Sequence, residues 1–163
     1  MYHIDDLIIY GSQGVCKVEA VGIPDIPGVD KEKVYYTLSP LYQNGKIFTP
    51  IDTSVFMRPI ITYAEAQQLI SLIPSIKENV YNNKNQRLMK DHYQEYMQTH
   101  DCSDLIKVIK NVYTKKVITM DQGKKLGQID EHFMKQAEDL LYGEFSVVLG
   151  IPVDNVKSYI NIA

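Results

Sequence analysis

The chain has 163 residues, 45% of them hydrophobic and 23% charged, with a formal net charge of −3. Such proportions belong to a folded chain rather than a disordered one, and the length suits one mixed domain or two small ones. The negative balance excludes a tight, sequence-blind binder of nucleic acid, which depends on many Lys and Arg contacts to phosphate, and apolar runs such as Pro59-Ile60-Ile61 fall far short of the ~20 residues of a membrane span.

From Leu7 to Tyr10 the chain is apolar and rich in β formers. From Val15 to Val21 it alternates, with Val15, Lys17, Glu19 and Val21 on one side and Cys16, Val18 and Ala20 on the other. The two runs flank a turn bracketed by Gly11 and Gly14, which predicts an antiparallel hairpin. Pro24 and Pro27 then fix φ and remove donors, so residues 24–30 form a loop. Further strands are predicted over 33–38, over 46–49 after the tight-turn pair Asn44-Gly45, and over 54–58, ended by Pro59. Five short strands in about 60 residues predict a small SH3-like or Tudor-like β-barrel over residues 1–61.

The hydrophobic period changes at Thr62. Thr62-Tyr63-Ala64-Glu65 is a capping-box pattern, so a short helix follows, with Ala66, Leu69, Ile70 and Leu72 turned inward, until Pro74 disturbs it. The polar, asparagine-rich residues 75–83 read as a linker, which makes 62–83 a short helix and connection. Three longer helices are predicted over 84–99, 103–117 and 128–149. Met89, Tyr93, Tyr96 and Met97 mark the inward stripe of the first. In the second, Leu105, Val108, Ile109, Val112 and Tyr113 face inward, leaving Lys107, Lys110 and Asn111 outside. Met120 to Gly127 is a predicted loop, and Gly150 and Pro152 separate the third helix from a short terminal one. The fold class is therefore α+β: an N-terminal Tudor/SH3-like barrel followed by a C-terminal α-helical bundle over 84–163.

The charge is unevenly spread. Residues 1–75 have a balance of −3, residues 84–125 one of +4, and residues 126–163 one of −4. Only the middle is basic, which lets one face of the molecule orient toward phosphate. Enzyme motifs are missing: His3, His92, His100 and His132 are isolated, and Gly123-Lys124-Lys125 lacks the other parts of a phosphate loop. Cys16 reads as a small core residue, and the pair Asp130-Glu131 as acids favoured by a helix start. A non-enzymatic protein without cofactor or metal is expected. Two distant cysteines, and a start from Met1 to Asp6 without the features of a secretory signal, suggest the cytoplasm.

Tyr10, Gly14-Val15, Tyr35-Tyr36-Thr37-Leu38, Phe48-Thr49-Pro50 and Met57-Arg58 occur in an order that resembles the CarD/CdnL/TRCF family of bacterial polymerase-binding proteins. The helical half resembles it as well, through Arg87, Asp101, the run from Val108 to Tyr113, the segment Asp121 to Lys125, and the run from Ala137 to Glu144. The chain departs from the family pattern at Gly11 and Gln13, where Pro and His are frequent, and it has no Trp, whereas many members carry a tryptophan wedge in the helical module. With no helicase motor, it is similar to the stand-alone regulators.

The resemblance implies a transcription regulator that binds the β subunit of RNA polymerase through the barrel. It further implies contact with promoter DNA near the upstream edge of the bubble, weak and only in the polymerase context, which modulates open-complex stability. The implied polymerase contacts are the loop residues Ile23, Pro24 and Ile26 and the strand residues Lys46, Ile47 and Phe48. Because strand side chains alternate, one of Ile47 and Phe48 must face inward. Tyr81 is the candidate replacement for the wedge. The basic candidates for DNA are Lys84, Arg87, Lys90 and Lys107, then Lys110, Lys115, Lys116, Lys124 and Lys125. The rival reading is an SH3/Tudor-like adaptor that binds another protein and leaves DNA alone.

Overall fold

The computed structural model describes residues 1–77 and 80–162; Glu78 and Asn79 of the expected connection, and Ala163, lie outside the described residues. Contacts divide the chain into two units, Met1–Ile61 and Thr62–Ala163.

The first unit is an antiparallel sheet of β1 (Leu7–Tyr10), β2 (Val15–Gly22), β3 (Tyr35–Pro40), β4 (Ile47–Pro50) and β5 (Met57–Pro59). Their order across the sheet is β4-β3-β2-β1-β5, so the last strand returns beside the first, as in Tudor-like folds. The unit is organised around Ile8, Cys16, Val18, Tyr36 and Leu38, all buried, with Tyr10, Val21, Ile47 and Met57 among the side chains packed on them. A 3-10 turn at Gly11–Gln13 joins β1 to β2, and Gly14 follows at φ 77°. That backbone conformation suits glycine, and it lets the Gly14 carbonyl accept the Tyr10 N–H at 3.1 Å.

Strict alternation along β2 does not hold. Val18 pairs with Leu38 but Ala20 pairs with Thr37, so a bulge falls at Glu19. The extra residue turns Ala20 outward and keeps Val18 and Val21 on the core side, and bulges of this kind sharpen the twist that curls a sheet. The last strand also starts later than predicted: Thr53 donates to the Pro50 carbonyl at 3.0 Å in a turn, and the ladder with β1 opens only at Phe56, whose carbonyl accepts the Gly11 N–H at 2.8 Å.

The second unit contains α1 (Tyr63–Leu72), α2 (Gln86–Met97), α3 (Cys102–Asp121), α4 (Gln128–Leu149) and α5 (Val153–Ile160). Thr62 and Glu65 form the full capping box, and a 3-10 turn at Ile73–Ser75 contains Pro74. Of the residues predicted on the inner side of α1, Ala66 is buried, whereas Leu72 is exposed. Helix α3 runs to Asp121, past the predicted end, since no breaker precedes Gly123, whose φ is 71°.

At the centre of this unit, two polar residues predicted to be outside are inside. Asn111 and Lys115, four residues apart on α3, are both 6% exposed, and Asp130 on α4 is 4% exposed. Lys115 Nζ lies 2.9 Å from Asp130 Oδ2. It also donates to the Tyr81 carbonyl at 3.2 Å and to Asn82 Oδ1 at 3.3 Å. Tyr93 of α2 donates its hydroxyl to Asp130 Oδ1. Burial first, and then this bond, hold the Tyr93 phenol protonated far above its ordinary range. Asp130 is therefore the anchor of an internal network, more than an acid placed against a helix dipole.

Taking Lys115 away leaves a buried carboxylate without its counter-charge, which costs about 3–5 kcal/mol. Lys115→Met is expected to lower the urea midpoint of the full chain by an amount in that range, and adding Asp130→Leu is expected to recover most of it. A single-variant loss below about 1 kcal/mol would show that water already compensates the pair.

Candidate functional site

Strand β4 is an edge of the sheet among the described residues. Ile47 packs on the core, so the alternation turns Phe48 outward, where it is 37% exposed. Thr49 is buried again and its Oγ1 lies 3.2 Å from the Tyr10 hydroxyl. The ladder has a definite phase. Ile51 N–H donates to the Val34 carbonyl at 3.0 Å, and the pairs Tyr36↔Thr49 and Leu38↔Ile47 continue from it. In an antiparallel pair the intervening residue directs its backbone groups the other way. The N–H and C=O of Phe48 thus point away from β3, toward the open edge.

Lys46 is exposed at the entrance to this strand. The loop candidates occupy a different place. Ile23 is 56% exposed, and Pro24 and Ile26 are half-buried. Gly22 pairs with Tyr35, which in turn pairs with Pro50, so β3 stands between the loop and β4. With strands about 4.8 Å apart, the loop and the edge lie on the order of 10 Å apart across the sheet. They form two neighbouring surfaces, and sequence reasoning missed the outward Thr37 and Ala20 that connect them in one row with Phe48. That row becomes visible only once the bulge at Glu19 is known.

The basic candidates divide by availability. Lys84, Arg87, Lys90, Lys116, Lys124 and Lys125 are exposed. Lys90 and Lys125 stand on the lining of one open groove of about 540 Å³. Lys116, Lys124 and Lys125 line another of about 410 Å³. The other three candidates are engaged within the unit. Lys107 pairs with Asp104 at 3.5 Å. Lys110 donates to the Ile73 carbonyl, and burial, with the Lys77 charge second, lowers its pKa. Lys115 is buried in its pair with Asp130 and cannot reach a phosphate without breaking it, which corrects the reading of that lysine as a DNA contact.

Tyr81 is half-buried. Its ring stacks on His92 with centroids 4.0 Å apart and planes 18° from parallel, and its hydroxyl accepts from Asn83 Nδ2 at 3.3 Å. One face of the ring is occupied, and the carbonyl bond from Lys115 fixes the backbone behind it.

Among the described residues no group of His, Cys, Asp and Glu is arranged to hold a metal ion. Both cysteines are buried, and burial pushes the Cys16 thiol up to about 11. No helix of the described residues is long and apolar enough to cross a membrane. No curated protein matches the chain. Residues 2–61 match the family model of the CarD-like/TRCF RID domain, a match that ends where the strand-built unit ends. With a Tudor-like strand order, an edge strand whose phase exposes Phe48, and this match over the same residues, the N-terminal unit is similar to the CarD-like/TRCF RID domain.

Proposed function

We propose that the protein is a CarD-like transcription regulator that docks on the β subunit of RNA polymerase by strand addition at β4. In that position its helical unit applies an exposed cationic surface to promoter DNA near the upstream edge of the bubble and changes the lifetime of the open complex. The match of residues 2–61 to the RID domain carries this reading, since domains of that family interact with the polymerase β subunit and act by binding rather than by catalysis. The β4 edge supplies a mechanism. An added strand gains backbone hydrogen bonds from Phe48, and the Phe48 side chain contributes the selectivity that alternating pockets give in such complexes.

The DNA part rests on Lys84, Arg87 and Lys90 at the start of α2 and on Lys116, Lys124 and Lys125 beyond the middle of α3, all exposed. Six cations on a chain of net charge −3 make a weak contact. Each phosphate contact contributes through counterion release, and few contacts give little affinity at physiological salt. Tethering to polymerase raises the effective concentration into roughly the millimolar range, enough for a weak contact to act. In this reading Tyr81, one face of whose ring lies against His92, is the residue that stacks on a base.

Phe48→Glu places a charge on the proposed interface while leaving the core untouched. It is expected to weaken capture of the polymerase β lobe by at least about tenfold with an unchanged melting temperature. Undiminished capture by the folded variant would refute docking at this edge. For the helical unit, Lys90→Glu combined with Lys125→Glu is expected to change the open-complex dissociation rate by at least about twofold. Free duplex is expected to show no binding at about micromolar protein. An open-complex lifetime identical with wild-type and variant protein would instead identify an adaptor that leaves DNA alone.

A further inference from the structure

The groove of about 410 Å³ lies between the end of α3, the loop that follows it and the first half of α4. Its floor is apolar. Met120, Leu126 and Met134 line it, and Met120 is 63% exposed. Val117, one turn before Met120 on α3, is exposed too.

The walls differ in charge. Lys116, Lys124 and Lys125 stand on the α3 and loop side. Among the described residues no ion pair or hydrogen bond engages their ammonium groups. On α4, Glu131, Lys135 and Glu138 follow one another at helical spacing, and Lys135 is held by Asp139 at 2.9 Å. The groove therefore presents free cations on one wall, carboxylates on the other and methionines between them.

We propose that this groove docks an acidic amphipathic helix from a protein partner. The carboxylates of such a helix meet Lys116, Lys124 and Lys125, and its apolar stripe lies on Met120, Leu126 and Met134. Helices bind grooves in this manner through anchors one turn apart. Unbranched, polarisable methionines adapt to the anchors they meet. Both an acidic helix and nucleic acid can meet the three lysines, but only the helix also gains from Met120, Leu126 and Met134, since a phosphate backbone has no apolar stripe to lay on them. Occupancy covers three of the exposed lysines, so this partner and promoter DNA compete for the helical unit. The inference does not depend on polymerase docking, which concerns the other unit.

The test titrates the full chain into a fluorescein-labelled peptide of about five helical turns, with leucines at i, i+3, i+4 and i+7 and glutamates elsewhere. A shuffled peptide of the same composition and a short DNA duplex serve as comparisons. The striped peptide is expected to bind at least about tenfold more tightly than the shuffled one. Met120→Ser, and separately Lys124→Ala with Lys125→Ala, are each expected to weaken it by about tenfold. These side chains are exposed, so the variants retain the fold, which circular dichroism checks. Equal binding of the shuffled peptide, indifference to Met120→Ser, or no binding below about millimolar would overturn the proposal. A duplex that binds this surface more tightly than the peptide would overturn it as well.

Discussion

Burial of Ile8, Cys16, Val18, Tyr36 and Leu38 is the constraint on which the N-terminal unit depends. Ile8, Val18 and Leu38 each contribute about 1.5–3 kcal/mol when removed from water, and the five together set the phase of the strands they sit on. Once Leu38 faces the core, its partner Ile47 must do so as well, and Phe48 is left facing out with its backbone groups on the open edge. A slip of one residue would invert the whole strand and bury Phe48. The surface proposed for the polymerase is thus a consequence of core packing.

In the helical unit a polar interaction has the corresponding role. Asp130 draws Lys115 from α3 and Tyr93 from α2 onto α4, and Lys115 reaches on to Tyr81 and Asn82. The network makes residues 81–82 part of the helical unit and positions Tyr81 against His92. It also sorts the basic residues, since one lysine is consumed in holding the fold while those on exposed turns remain available to partners. The cationic surface is smaller than the sequence count suggests, which fits a contact that depends on tethering.

Local chemistry was legible in the sequence. The Thr62–Glu65 capping box is satisfied entirely within four residues, and α4 has the bounds that its flanking glycines predict. The bulge at Glu19 was not legible, because it is defined by which residues of β3 lie opposite. The burial of Lys115 also depends on a partner distant in sequence, yet it left a signal. Asp130, Phe133, Ala137 and Leu141 share one stripe at helical spacing and are all buried, so an acid on that stripe implied a buried cation. Asn111 and Lys115 at i and i+4 on α3 pointed to the same seam. The Ile23 to Ile26 loop and the β4 strand could be named together as polymerase contacts, but not their separation, because sequence shows the members of a site and not the strand between them.

The central claim is that β4 recruits the polymerase through its open edge. Amide hydrogen exchange at Phe48, followed in the full chain with and without the polymerase β lobe, tests it most directly, since this N–H makes no ladder bond in the free protein and gains one when a strand is added. The account predicts rapid exchange alone and strong protection in the complex, with little change at Ile47 and Thr49, whose amides already bond to β3. A complex that forms while the Phe48 amide exchanges as freely as before would contradict it.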